Sequence, residues 1–303
     1  MPSAAKVEVE VEGRELRLSN LDKLMYPKAG FTKGQVIDYY TRIAPAVLPH
    51  LEGRPLTLKR YPDGVDGKFF YEKECPSHRP DWVHSKEINT GRKKVNFCVC
   101  DDLPTLVWAA NLADLELHTS LSLAKKIKRP TMMVFDLDPG PPAAILDCCR
   151  VGLWLREALD GIGLESFPKT SGSKGLQLYV PLNTDVTYDD TKPLSRALAQ
   201  HVEREHGDLV VSSQKKSLRK GKVLIDWSQN DEHKTTVCVY SLRAKERPTV
   251  STPVEWEEVE SALEDDDADA LVFESDEVIE RYEDRGDLFE PVAKLKQRLP
   301  DLG

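Results

Sequence analysis

The residues with the plainest chemical potential are two aspartates spaced i, i+2 in Val134-Phe135-Asp136-Leu137-Asp138-Pro139-Gly140. On a strand, side chains two apart leave the same face, so Asp136 and Asp138 converge. The Pro-Gly that follows stops the strand and leaves them at its open end. Two carboxylates held together repel unless hard cations lie between them. Two-metal phosphoryl transfer uses that arrangement, with Mg²⁺ or Mn²⁺ clamping the attacking and leaving oxygens. An Asp-x-Asp alone also fits a solvated strand end. A third carboxylate, Asp226, lies in the apolar run Val223-Leu224-Ile225-Asp226-Trp227 and reads as a ligand or as a hydrogen-bonded core residue.

A second motif is Thr170-Ser171-Gly172-Ser173-Lys174-Gly175, directly before the strand-like Leu176-Gln177-Leu178-Tyr179. Its glycines and hydroxyls let backbone amides approach phosphate oxygens, and Lys174 adds a cation. The spacing is not that of a Walker loop, and a strand rather than a helix follows. A flexible Ser/Gly turn is the plainer alternative. Elsewhere Lys59-Arg60 ends a strand, and Phe69-Phe70-Tyr71-Glu72-Lys73 follows a turn. Rings beside cations suit base stacking and backbone neutralisation, although core packing accounts for at least one ring equally well. Lys215, Lys216, Arg219, Lys220 and Lys222 form a basic loop able to track phosphates, or simply a solvated one.

The elements that must position these groups follow from periodicity. Residues 6–18 alternate charged and apolar side chains and read as a strand, and Leu21 to Met25 as a short helix. Phe31-Thr32-Lys33 opens a stronger helix carrying Val36, Tyr39, Tyr40, Ile43 and Val47 at helical spacing. Residues 56–60 read as a strand, and 105–117, 143–163 and 189–206 as helices. Residues 132–138, 176–181 and 223–227 are three apolar strands, with 237–242 a fourth. No internal repeat or long linker appears, so one domain over 1–303 is expected. It would comprise an N-terminal part (1–120), a catalytic core (121–250) and acidic C-terminal helices (251–303).

Composition narrows the class. The 303 residues are ample for a core, and no apolar run approaches the roughly 18–20 residues a membrane span needs. No secretory signal is visible. The six cysteines form no C-x-x-C pair, which argues against structural zinc and for a reduced cytosolic protein. Cys98 and Cys100 read as same-face packing residues. The net charge of −9 hides an asymmetry: residues 251–303 hold 18 acidic and 5 basic side chains, leaving 37 basic and 33 acidic before them. The body of the chain thus retains a basic excess for a polyanion.

Taken in order, FDLDP, SGSKG-x-x-x-Y, KVLIDW and VYSLR closely resemble the polymerase domain of bacterial DNA ligase D. That domain belongs to the archaeo-eukaryotic primase superfamily and serves non-homologous end joining. The likeness runs from Leu18-Ser19-Asn20-Leu21-Asp22-Lys23 to Gly286-Asp287-Leu288-Phe289. It implies an α/β fold, with a central mixed sheet carrying the carboxylates and a second sheet alongside, both flanked by helices. It implies that Asp136, Asp138 and Asp226 hold two Mn²⁺ or Mg²⁺ ions, and that Ser171, Lys174, Gly175 and Arg243 contact the nucleotide triphosphate. In isolation His118 reads as a core or capping histidine; the resemblance makes it an active-site residue near the incoming nucleotide. It also implies that Asn20, Lys23 and Lys33 grip a 5′-phosphate, and that Lys59, Phe70, Tyr71 and Lys73 hold the template. Arg219 would help arrange the DNA end and the metals.

One nucleotide-binding residue departs from the pattern: where the family carries a histidine, this chain has Gln177, which can still donate a hydrogen bond to a phosphate oxygen but cannot become cationic or transfer a proton. No Lys-x-Asp-Gly adenylation motif is present, so a stand-alone polymerase or an excised domain is expected. The implied activity is nucleotidyl transfer to DNA 3′ ends, ribonucleotide-preferring, templated and partly untemplated. The substrates would be gapped or broken DNA with a 5′-phosphate and NTP or dNTP, in the bacterial cytoplasm at the nucleoid, alongside Ku and a separate ligase. A catalytically weak module that bridges 5′-phosphorylated ends is the rival reading, and a metal-dependent phosphohydrolase a more distant one.

Overall fold

The computed structural model describes residues 6–91 and 93–300. The N-terminal segment read as one strand is a hairpin, β1 (Lys6–Val11) with β2 (Arg14–Ser19). Its two-residue turn, Glu12-Gly13, has positive φ at both positions, the handedness that matches strand twist. The expected helix at Leu21–Met25 is instead a turn leading into β3 (Leu24–Tyr26), which pairs with β4 (Phe31–Thr32). Asn20, at φ 56°, reverses the chain there, and the segment is too short to nucleate a helix. Helix α1 (Lys33–Leu51) starts where expected, because Thr32 and Gln35 form a reciprocal capping box.

β5 (Pro55–Arg60) pairs with β6 (Phe70–Glu72), and the hairpin β7 (Ser85–Asn89)–β8 (Lys94–Val99) extends that sheet. Residues 105–117 are not one helix. α2 (Leu103–Asn111) stops before Ala113, which adopts φ 61°, and the chain re-enters the sheet as β9 (Asp114–Thr119). Leu115 and Leu117 alternate at strand spacing, and pairing to β5 overrides the helical reading of the apolar stretch.

The second sheet is built from β10 (Met132–Pro139), β11 (Phe167–Thr170), β12 (Leu176–Pro181), β13 (Val210–Val211) and β14 (Val223–Asp226). Its order is β11-β12-β10-β14-β13, all antiparallel except β13–β14, which makes it mixed. α3 (Ile145–Asp160) and α4 (Tyr188–Glu205) cover it, and Leu137, Leu155, Leu178, Leu198 and Ile225 belong to one buried cluster. The first sheet runs β15-β9-β5-β8-β7, where β15 is only Thr236–Val237. The longer strand expected over 237–242 is cut short because Tyr240 takes φ 61° and turns the chain. The acidic C-terminal segment folds as α5 (Trp256–Glu264), α6 (Ser275–Arg285) and α7 (Glu290–Lys294). Arg281 and Arg285 pair with Glu258, so part of this acidity is spent internally.

Cys98 and Cys100 are both buried, but the reduced state expected for all six cysteines does not hold. Cys75 and Cys98 form a disulfide at a Cα separation of 4.8 Å, tying the segment after β6 to β8. The pairing joins residues 23 apart, which no local spacing advertises. No helix among the described residues is long and apolar enough to cross a membrane.

Candidate active site

The carboxylates are brought together by register. Asp136 on β10 lies directly opposite Asp226 on β14, and Asp138 leaves the same face two residues on. Burial pushes the Asp136 carboxyl up to about 6, with Asp226 and Asp138 adding to the rise, while Gln177 opposes it. The Gln177 Nε2 amide donates to Asp136 Oδ1 at 2.9 Å. Asp226 accepts from Gln214 Nε2 at 2.8 Å, from Gln229 Nε2 at 3.0 Å and from the Ser228 hydroxyl at 2.6 Å. Asp138 is half-exposed and faces Arg219, whose NH1 lies 3.8 Å from Oδ2. Among the described residues no group of three or more His, Cys, Asp and Glu side chains closes around a point by itself. The donor set nonetheless suits hard divalent cations: oxygen ligands on one face, with the Asp136 carboxyl raised mainly by burial and further by Asp226 and Asp138. A cation would relieve that repulsion, with substrate oxygens and water completing its coordination.

Beside them opens a cavity of about 530 Å³ lined by Tyr71, Lys73, His118, Asp136, Asp138, Ser171, Lys174, Gly175, Gln177 and Arg243, among others. The loop from Ser171 to Gly175 is wound on a hydroxyl: Ser171 Oγ accepts from the amides of Ser173, Lys174 and Gly175 at 3.1–3.3 Å. Its glycines are required by close approach. A Cβ at Gly175 would lie 2.0 Å from the Leu137 carbonyl oxygen, and one at Gly172 2.5 Å from the Val250 backbone. The loop is thereby pressed against the carboxylate strand. Arg243 donates through NH1 to the Ser171 carbonyl, while its buried Nε makes no hydrogen bond among the described residues. Arg219 Nε is unpartnered in the same way. Arg243, which lines the cavity, lies beside the Glu116 carboxylate with Nε 3.5 Å from Oε1, and Arg219 faces Asp138.

Sequence reasoning missed the group that organises the far wall. Glu116 on β9 is 2 % exposed and receives Lys59 Nζ at 2.9 Å and His118 Nε2 at 3.0 Å on the same oxygen, with Arg243 Nε 3.5 Å from the other. Burial alone would raise its pKa, but His118, Arg243 and Lys59 together hold it well below the ordinary carboxylate range. Burial pushes the His118 imidazole down, against the pull of Glu116. The signal was present as Glu116-Leu117-His118, two polar residues at i, i+2, but it is legible only once this stretch is read as a strand. Gln214 was also missed. It bridges Arg219 NH2, at 2.9 Å, to Asp226, and so connects the basic loop to the carboxylates.

Above this wall the rings of Phe69, Phe70 and Tyr71 are 43–55 % exposed, so none of the three is a core residue. Lys59 Nζ lies 4.8 Å from the Phe69 ring centroid and 5.6 Å from that of Tyr71, and Arg60 sits over Phe70 at 5.2 Å. Asn20, Lys23 and Lys33 gather elsewhere, at the start of α1, and do not line the carboxylate cavity. Lys33 Nζ donates to the Ser19 carbonyl at 2.7 Å, and Lys23 Nζ to Asp63 at 2.9 Å. Burial, with Lys23 and Arg60 nearby, lowers the Lys33 ammonium to about 8.

Known proteins resemble this chain in sequence and in fold. The family model described as "LigD, primase-polymerase domain" matches residues 32–289. The multifunctional non-homologous end joining protein LigD of Mycolicibacterium smegmatis is 39 % identical over 279 residues, covering 91 % of this chain and 36 % of that protein. The bifunctional LigD of Bacillus subtilis is 33 % identical over 273 residues, covering 90 % of this chain and 43 % of that protein. The chain therefore spans between a third and a half of the length of these relatives. The solved polymerase domain from Mycobacterium tuberculosis ligase D, in complex with DNA, superposes with a TM-score of 0.86 at 37 % identity, covering 93 % of this chain and 99 % of that one. This chain belongs to the LigD primase-polymerase family and is a DNA-directed nucleotidyltransferase.

Proposed function

We propose that the chain adds nucleotides to DNA 3′ ends during break repair, filling short gaps or ends with a preference for ribonucleotides, templated and in part untemplated. The observation that carries this reading is the pairing of Asp136 with Asp226 across β10–β14, beside a cavity lined by Lys174 of the Ser171–Gly175 loop and by Arg243. In it Asp136, Asp138 and Asp226 would hold two Mg²⁺ or Mn²⁺ ions, which would supply charge neutralisation for phosphoryl transfer. Lys174, Arg243 and the Ser171–Gly175 amides bind the triphosphate, so positioning and electrostatics provide most of the rate. His118, fixed by Glu116 through Nε2, orients the incoming nucleotide. Arg219 holds Asp138 and, through Gln214, Asp226, while contacting the DNA end.

The rings of Phe70 and Tyr71, with Lys59 and Lys73, receive the template, and Asn20, Lys23 and Lys33 the 5′-phosphate of the downstream strand. Relatives carry the name of end joining, and the DNA complex of the Mycobacterium tuberculosis domain supports a nucleic-acid partner here. Ku, a ligase and a bacterial cytoplasmic, nucleoid-associated setting follow on that reading. The test is primer extension on gapped, 5′-phosphorylated DNA with ribo- and deoxynucleotides and with Mn²⁺ or Mg²⁺. Extension that depends on metal and disappears in Asp136→Ala is expected. Binding that needs the 5′-phosphate without any extension would favour an end-bridging module, whose grip at Lys23 and Lys33 lies outside the carboxylate cavity.

A further inference from the structure

Lys169 is a lysine with 0 % exposure, which is uncommon for an ionisable side chain without a task. Its position is set by strand register. Lys169 on β11 pairs directly with Gln177 on β12, Gln177 pairs with Asp136 on β10, and Asp136 pairs with Asp226 on β14. Directly opposed residues share a face, so these four side chains form one line across the sheet, running from a buried amine to the carboxylates. The hydrogen bonds follow that line: Lys169 Nζ donates to Gln177 Oε1 at 2.6 Å, and Gln177 Nε2 donates to Asp136 Oδ1 at 2.9 Å. Lys169 Nζ also donates to Ser251 Oγ at 2.5 Å.

A carboxamide is ambiguous by itself, because its oxygen and nitrogen can exchange places. Here the Lys169 amine donates to Oε1 on one side and the Asp136 carboxylate accepts from Nε2 on the other, which sets the orientation of the amide. We infer that Lys169 is a positioning residue for the carboxylate site: it locks the Gln177 amide so that Nε2 always faces Asp136, which holds Asp136 Oδ1 and leaves Oδ2 to the metal. This rests on the reading of Asp136 as a metal ligand. It also explains how glutamine serves here, since a neutral imidazole at 177 would equally accept from Lys169 and donate to Asp136.

The test uses the full chain. Mn²⁺ binding without nucleotide or DNA is followed by electron paramagnetic resonance for wild type, Lys169→Met and Asp136→Ala, beside steady-state extension kinetics and thermal melting. Were Lys169 felt only as a cation, removing it would make the site more negative and tighten Mn²⁺. Loss of positioning predicts the opposite sign: Mn²⁺ bound several-fold more weakly, and kcat down about tenfold with the nucleotide KM unchanged. Tightened or unaltered Mn²⁺ binding in folded Lys169→Met overturns the inference. If that variant does not fold, Lys169→Leu, which likewise removes the donor to Gln177 Oε1, replaces it, with weaker Mn²⁺ binding expected and tightened or unaltered binding again overturning the inference. Asp136→Ala separates the two layers: if it binds Mn²⁺ as wild type does, the metal assignment has failed rather than the role of Lys169.

Discussion

The carboxylate line and the aromatic platform sit on different sheets and are held by different means. Asp136, Gln177 and Lys169 are locked by register and by one another inside a five-stranded sheet. Phe70 and Tyr71 stand on the three-residue β6, which among the described residues pairs with β5 alone, and their rings face outward over Lys59 and Arg60. Chemistry that needs sub-ångström placement is built where neighbours on both sides fix every rotamer. Contacts that accept any base need only a flat ring near a cation. Glu116 connects the two regions, since it holds Lys59 of the platform and both His118 and Arg243 of the cavity.

If this contrast is right, lesions in the line should cost far more than lesions in the platform. Asp138→Ala should lower kcat about a thousandfold or more while gapped-DNA affinity stays near wild type. Near-normal turnover in that variant would remove the metal reading altogether. Glu116→Ala should be the most damaging change outside the line. It strands Lys59 and Arg243 next to each other without their anion, and breaking a buried ion pair costs about 3 kcal/mol or more of stability. Urea unfolding measures that directly, and a loss no larger than for a surface pair would show the hub to be incidental.

The platform is expected to respond more mildly. Phe70→Ala should weaken template-strand binding about tenfold, the scale of one stacked base, with kcat at saturating DNA preserved. A kcat defect comparable to that of Asp138→Ala would erase the distinction between the regions. The smallest effect concerns Lys33 and carries a sign in pH. Its ammonium is lowered to about 8 by burial and by Lys23 and Arg60, so its charge is lost as pH rises through that value. The advantage of a 5′-phosphate in DNA binding should therefore shrink between about pH 7 and 9. Lys33→Arg keeps its charge throughout and should flatten that dependence. Gln177→His should preserve or raise incorporation, and a large loss in kcat/KM would show that the amide does something the imidazole cannot.

Much of this was legible before any coordinates. Asp136 and Asp138, the Ser171–Gly175 loop and the opening of α1 near Thr32 lie in segments with a local pattern, an apolar strand ending in Pro-Gly, a glycine-rich turn and helical spacing, although each pattern alone also admitted a plainer reading. Glu116 was not, because an apolar stretch of this length satisfies helix and strand alike. Only pairing with β5 decides it for residues 114–119. The Cys75–Cys98 bond and the reversal at Asn20 were hidden for the same reason, since each depends on what the segment meets across the fold.

The sequence by itself determined that Asp136 and Asp138 share one face at a strand end and that a glycine-rich loop precedes the next strand, because i, i+2 spacing and glycine placement are local geometry written directly in residue order; the α/β class came from the resemblance of the ordered motifs. What only the tertiary structure decided is which residues stand opposite one another. Lys169, Gln177, Asp136 and Asp226 are scattered over 91 positions of the chain and form a line only through the register of four strands. Register is set by packing both faces of the sheet at once, and no single segment contains that information.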